Sequence, residues 1–115
     1  MQTMHTKVSV IIPVYNGEQF VSRAIQSALN QIIKPFEVIV INDGSKDGTL
    51  IKLQALKKDR SYLRILVFER NFGQSSAFDA GFKAARGDAV ITLDGDAHLD
   101  IVGTSTVWFG TGGGA

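Results

Sequence analysis

The chain has 115 residues, enough for one domain with a core of its own and too few for two. It is 44% hydrophobic and 20% charged, an ordinary globular composition, and its formal net charge of +1 speaks against a nucleic-acid footprint. Cysteine is absent, which excludes disulfides, thiolate metal sites and cysteine nucleophiles.

No apolar run approaches the roughly 20 residues that span a bilayer. Met1–Thr6 is polar and lacks the charged-then-apolar layout of a signal peptide, so the expected location is the cytoplasm.

Val8–Pro13 is short, continuously apolar, rich in β-branched residues and stopped by proline, the pattern of a strand covered on both faces. After the loop Val14-Tyr15-Asn16-Gly17 the period changes. Phe20, Val21, Ala24, Ile25, Ala28, Leu29 and Ile32 form one stripe at helical spacing, and Pro35 marks the end of that helix.

Phe36–Ile41 repeats the strand pattern and runs into a polar turn from Asn42 to Thr49. Leu50–Lys58 is a second amphipathic segment and Leu63–Phe68 a third strand. The loop Arg70-Asn71-Phe72-Gly73 leads to a third helix, Gln74–Arg86, with Ala77, Phe78, Gly81, Phe82 and Ala85 on its inner side. Ala89–Leu93 is the fourth strand. The alternation β-α-β-α-β-α-β predicts an α/β fold: a mostly parallel, Rossmann-like sheet with right-handed crossovers and helices on both faces.

Residues 1–102 are expected to form this domain, which ends after the fourth strand. Residues 103–115 carry no period of either kind, and four of the last six are glycine, so a tail without regular structure is expected there. A sheet ending at the fourth strand would leave apolar surface uncovered, which predicts self-association.

Polar residues follow three strand ends: Tyr15-Asn16, Asp43-Gly44-Ser45 and Asp94-Gly95-Asp96. In a parallel sheet these lie along one edge, the edge where open α/β sheets bind ligands. Asp43 can accept the ring N–H of a nucleobase, or close an Asx-turn, with Asp47 or Ser45 capping the next helix. Tyr15 can stack on a base or pack against the sheet edge.

Asp94 and Asp96, separated by a glycine, repel each other unless a cation joins them, and oxygen ligands suit Mg2+ or Mn2+ completed by phosphate; the same triplet also makes an ordinary turn. His98 can join the metal shell or be a surface histidine. Arg70 and Lys83 read as solvated or snorkelling cations. No G-x-G-x-x-G follows the first strand, which disfavours a dinucleotide-dependent oxidoreductase.

Taken together, residues 8–16, 38–49 and 70–96 resemble the inverting family 2 glycosyltransferases of the GT-A fold. Within that family the likeness is to the dolichol-phosphate mannosyltransferase and bacterial polyprenyl-phosphate glycosyltransferase group. The resemblance implies transfer of a sugar from a UDP- or GDP-sugar, with inversion and a divalent ion, to an acceptor such as a polyprenyl phosphate or a glycan.

By position, Pro13 and Tyr15 match the loop lining the base and ribose, and Ile41 and Asp43 match residues that meet the base. Asp94, Gly95 and Asp96 match the Asp-x-Asp motif that holds the ion on the diphosphate. His98 falls where the group carries a glutamine near the metal. Gly17 departs from a usual glutamate, Asn42 from a frequent aspartate, Ala97-His98 from Leu-Gln, and the proline expected after Asp100 is missing.

The likeness fades from about Ile101. The acceptor site and any general base are expected beyond this chain, which leaves donor binding as its share of the work. A lipid-linked acceptor would put the protein at the cytoplasmic face of a membrane. The alternative is a non-catalytic nucleotide-binding or interaction module of the same fold, which would bind nucleotide without transfer or hydrolysis.

Overall fold

The structure, a computed structural model, describes residues 7–30, 34–93 and 106–109. The elements run β1 (Val8–Val14), α1 (Val21–Leu29), β2 (Glu37–Asn42), α2 (Thr49–Lys57), β3 (Leu63–Val67), α3 (Gln74–Ala84), β4 (Ala89–Thr92) and β5 (Thr106–Phe109). They form one sheet in the order β3-β2-β1-β4-β5. β1 pairs in parallel with β2 and β4, and β2 with β3.

The strands alternate between two cores. Val8, Val10, Ile12 and Val14 of β1, with Val38 and Val40 of β2, face α1 and α2 and pack on Val21, Ala24, Ile25, Ala28 and Leu53. Ile11, Ile39, Ile41 and Val90 face the other way, onto Ala77, Phe78 and Phe82 of α3. Each fully buried Ile, Leu or Val contributes about 1.5–3 kcal/mol, so a sheet with both sides covered needs the continuous apolar runs of β1 and β2. Gly81 lets α3 come close: a Cβ there would stand 2.5 Å from Ile11 Cγ2.

The connections explain where a ligand can sit. From β1 through β3 the chain steps outward with α1 and α2 on one face. It then crosses the opposite face through α3 to lay β4 on the far side of β1. The connections thus reverse between β1 and β4, and a crevice opens at the carboxyl ends of the strands at such a switch point.

The structure differs from the sequence reading at β5. Thr106–Phe109, inside the segment expected to lack regular structure, pairs antiparallel with β4 from Ala89↔Phe109 to Thr92↔Thr106. The sheet therefore does not stop at its fourth strand, and the outer edge of β4 is paired. Thr, Val, Trp and Phe all favour extended backbone, and four residues suffice for an edge strand, but glycines around them hide the pattern in a longer window.

Candidate functional site

β1, β2 and β4 run in the same direction, so their carboxyl ends share one edge. Two hydrogen bonds carry the ladder to that edge: Asp43 N–H donates to the Val14 carbonyl (2.8 Å) and Leu93 N–H to the Ile11 carbonyl (2.9 Å). The loops that follow the strands are then tied together by side chains bonding to backbone.

The β1–α1 and β2–α2 loops interlock at Asn16. Its N–H donates to Ser45 Oγ and its Oδ1 accepts from Lys46 N–H, both at 2.8 Å. Asn16 has φ of 52°, a left-handed conformation that asparagine tolerates better than most residues. Next to it, Gly17 N–H donates to Thr49 Oγ1 at 3.0 Å, Glu18 N–H to Asp47 Oδ2 at 3.2 Å, and Gly48 N–H to Glu18 Oε1 at 3.0 Å. Asp47 Oδ1 also accepts from Thr49 N–H at 3.0 Å, so Asp47 secures the start of α2, while Ser45 is spent on Asn16. Desolvation by its neighbours pushes the carboxyl of the exposed Asp47 up, but bonds from the Thr49 hydroxyl and N–H and from Glu18 N–H outweigh it and hold the group below its ordinary value.

The β2–α2 and β3–α3 loops are joined by Asp43, whose residue is only 4% exposed. Its Oδ1 accepts from Phe72 N–H at 2.8 Å, and its Oδ2 from Gly73 N–H at 3.0 Å and Asn71 Nδ2 at 3.2 Å. Asn71 Nδ2 also donates to the Asp43 carbonyl at 3.2 Å. Gly44 makes this approach possible. Its φ is 73°, and a Cβ there would stand 2.2 Å from the Arg70 carbonyl carbon and 2.4 Å from Asn71 N.

These contacts shape a cleft of about 270 Å3 lined by Pro13, Val14, Tyr15, Asp43, Asn71, Gly73 and Gln74. Tyr15, one of these lining residues, is 41% exposed. Of the residues singled out in the sequence, Pro13, Tyr15 and Asp43 meet here. Ile41 does not line the cleft: it is fully buried under α3, its Cδ1 3.1 Å from where a Gly81 Cβ would stand. Asp94, Gly95, Asp96 and His98 lie outside the described residues. Among the described residues no cluster of three or more His, Asp or Glu is placed to hold a metal.

Asn71, Gly73 and Gln74 also line the cleft, although their sequence pattern is that of a plain loop and a helix start. A signal was present, since the Arg70–Gly73 loop also follows the carboxyl end of a parallel strand. The exposed Arg70 lays its guanidinium 4.8 Å from the Phe72 ring centre, and Phe72 meets Phe68 edge-on at 5.5 Å. Lys83 pairs with Asp79 at 3.1 Å along α3.

The opposite edge carries a second polar cluster. Glu37 accepts from Ser9 Oγ at 2.6 Å, Arg86 N–H at 2.6 Å and Arg64 Nη1 at 2.8 Å. Ser9 Oγ in turn accepts from Gly87 N–H, and Arg64 donates to the Ala84 carbonyl. Burial pushes the Glu37 carboxyl up, but the bonds from Ser9, Arg86 N–H and Arg64 outweigh it and hold it below the usual value. This cluster pins the exit of α3 and the start of β4 to the sheet, away from the cleft.

The comparisons with known proteins agree with this architecture. Among curated proteins, the chain is 44% identical over 93 residues to the undecaprenyl-phosphate 4-deoxy-4-formamido-L-arabinose transferase of Pectobacterium carotovorum, covering 77% of this chain and 28% of that protein. The protein of the same name in Pseudomonas fluorescens is 42% identical over 93 residues, with 77% and 27% covered. The chain thus spans somewhat over a quarter of the length of the curated relatives it matches.

Among solved structures, the mannosyltransferase PcManGT from Pyrobaculum calidifontis, in complex with GDP-Man and Mn2+, superposes with a TM-score of 0.73 at 25% identity, over 83% of this chain and 29% of that one. Staphylococcus aureus TarS 1–349 in complex with UDP-GlcNAc gives 0.68 at 31% identity, over 78% and 26%. The fold is thus the GT-A fold of these glycosyltransferases. The family model for glycosyl transferase family 2 matches residues 9–100, from the second residue of β1 past the end of β4, and the chain belongs to that family.

Proposed function

We propose that the carboxyl edge of the sheet binds the donor of an inverting, metal-dependent glycosyl transfer, a UDP- or GDP-sugar. The observation that carries this reading is the convergence of Pro13, Tyr15 and the Asp43-organised Asn71–Gly73 loop on one cleft at the switch-point edge. At about 270 Å3 the cleft is at the small end of ligand sites, so it takes the nucleoside part of a donor rather than the whole. Tyr15 supplies the stacking face and Pro13 a rigid wall.

The diphosphate is assigned to the segment following β4, where Asp94, Gly95 and Asp96 stand. Two carboxylates and a phosphate make an all-oxygen donor set, which fits Mg2+ or Mn2+, with His98 as a further ligand. When bound, such an ion neutralises charge on a diphosphate leaving group. The GDP-Man and Mn2+ in one solved neighbour and the UDP-GlcNAc in another support this donor class.

The names of the curated relatives support a polyprenyl phosphate as acceptor. With such an acceptor the protein works at a membrane surface, although among the described residues no helix is long and apolar enough to cross one. No residue of this chain is assigned the role of general base. Calorimetry with UDP- and GDP-sugars, with and without Mn2+, tests the proposal: metal-dependent binding of at least one is expected, and none from a folded sample refutes it.

A further inference from the structure

β3 ends the sheet, so one side of its backbone has no strand beside it among the described residues. Its even-numbered residues face β2: Val38 N–H donates to the Tyr62 carbonyl at 3.0 Å and Phe68 N–H to the Asn42 carbonyl at 2.9 Å. Leu63, Ile65 and Val67 therefore turn their N–H and C=O groups outward. Those of Leu63 are occupied: its N–H donates to the Arg60 carbonyl at 3.1 Å and its carbonyl accepts from Lys57 Nζ at 2.7 Å. Those of Ile65 and Val67 meet no partner among the described residues, which leaves two donors and two acceptors along this edge.

An open edge of this kind pairs with another strand unless proline, a bulge or a charge blunts it. Leu63–Val67 contains no proline. Its one charged side chain, Arg64, is drawn away to Glu37 and the Ala84 carbonyl, both at 2.8 Å. Val67 is 52% exposed, and Ile65 and Leu66 are half-buried, so the unpaired stretch is apolar as well as open.

We propose that the outer edge of β3 is an interface for a second copy of this chain, paired antiparallel across a twofold axis at Leu66. That register uses all the free groups, because Ile65 and Val67 of one copy each exchange two bonds with Val67 and Ile65 of the other. It sets Ile65 beside Val67 of the second copy on one face and Leu66 beside its own counterpart on the other, apolar cross-strand pairs throughout. Charge selects the antiparallel sense. Lys57 is held at the start of the strand and the exposed Glu69 follows its end, so an antiparallel partner brings Lys57 to Glu69 twice, whereas a parallel one sets like beside like. The two sheets become one, and the two clefts stand at opposite edges of it. The proposal stands apart from the donor-site reading.

The test combines sedimentation equilibrium over a concentration series with residue-resolved hydrogen exchange. It compares the wild-type chain with Val67→Pro, Val67→Lys, Glu69→Lys and the charge swap Lys57→Glu/Glu69→Lys. Val67 N–H points away from β2, so proline there removes a donor from the edge without breaking the ladder inside the sheet. Val67→Lys puts a charge at an already exposed position and serves if the proline variant unfolds.

The wild type is expected to pass from monomer to dimer as concentration rises. The Ile65 and Val67 amides should gain protection in step, while those of Arg64 and Leu66, bonded to β2, are protected throughout. Val67→Pro and Val67→Lys should each weaken the dimer about tenfold or more. Glu69→Lys should weaken it about threefold, and the charge swap should restore it. A chain that stays monomeric at millimolar concentration overturns the proposal and leaves the edge to some other extended segment. A dimer that survives both Val67 variants, or that leaves the Ile65 and Val67 amides unprotected, also overturns it. A charge swap that restores nothing overturns the antiparallel register.

Discussion

Glu37 and Asp43 stand at opposite ends of β2, and each residue is 4% exposed with its carboxylate surrounded by donors from other segments. Glu37 gathers Ser9, Arg64 and Arg86 at the amino edge, and Asp43 gathers residues 71–73 at the carboxyl edge. One strand therefore spaces a structural clamp from the Asp43 cleft. Carboxylates buried in this way are tolerated because each is bonded on both oxygens.

Glu37→Ala should be among the more costly single substitutions away from the cleft. It strands Arg64, whose side chain is only 27% exposed, and leaves Ser9 Oγ and Arg86 N–H without their acceptor. A loss of about 3 kcal/mol is expected in urea denaturation, because breaking a buried pair exposes the full desolvation cost of the survivor. Glu37→Gln, which keeps an acceptor, should lose less.

The same group gives a signed pH dependence. The folded Glu37 carboxyl titrates below its ordinary value of 4.5, so its contribution is complete above that pH and is lost as pH falls through the folded value. Asp47 acts in the same direction from its ordinary 3.8, more weakly because it is exposed. Denaturation midpoints measured from pH 7 to pH 3 should fall more steeply for the wild type than for Glu37→Gln. Parallel curves would remove Glu37 from the account.

Gly44→Ala should destabilise the chain by about 2 kcal/mol or more and weaken nucleotide binding with it. Its φ of 73° costs about 1 kcal/mol for a residue with a Cβ, and that Cβ meets backbone atoms of Arg70 and Asn71, which cannot rotate away. Thermal denaturation and calorimetry together read both effects.

Asn16→Ala should cost about 1–2 kcal/mol, since it loses the acceptor of Lys46 N–H and puts alanine at φ 52°. Asn16→Gly relieves the backbone part only. Chemical denaturation of the pair therefore separates backbone strain from the bond that ties the Tyr15 loop to the Ser45 loop.

Most of the architecture was legible because the strands are short, largely apolar runs bounded by proline, glycine or polar turns, and α1 and α3 carry apolar residues at helical spacing. What stayed hidden depends on contacts distant in sequence. Nothing near Glu37 announces Arg64 or Arg86, and nothing near Asp43 announces that residues 71–73 would bond to both of its oxygens. Ile41 enters the site only through the family resemblance, and strand alternation turns it under α3. β5 was missed because four extended-favouring residues lie among glycines. The convergence of Pro13, Tyr15 and Asp43 was readable, since parallel strands bring their carboxyl ends to one edge whatever the loops contain.

The proposed ion site at Asp94 and Asp96 is expected to share one edge of the sheet with the Asp43 cleft. Paramagnetic broadening by Mn2+ in the presence of UDP or GDP measures this directly, residue by residue. Amide signals of Tyr15, Gly44 and Asn71–Gly73 are expected to broaden while those of Glu37, Arg64 and Arg86 stay sharp, with the effect abolished in Asp94→Asn/Asp96→Asn. Broadening centred on Glu37 and Arg86, or unchanged in the double variant, would contradict it.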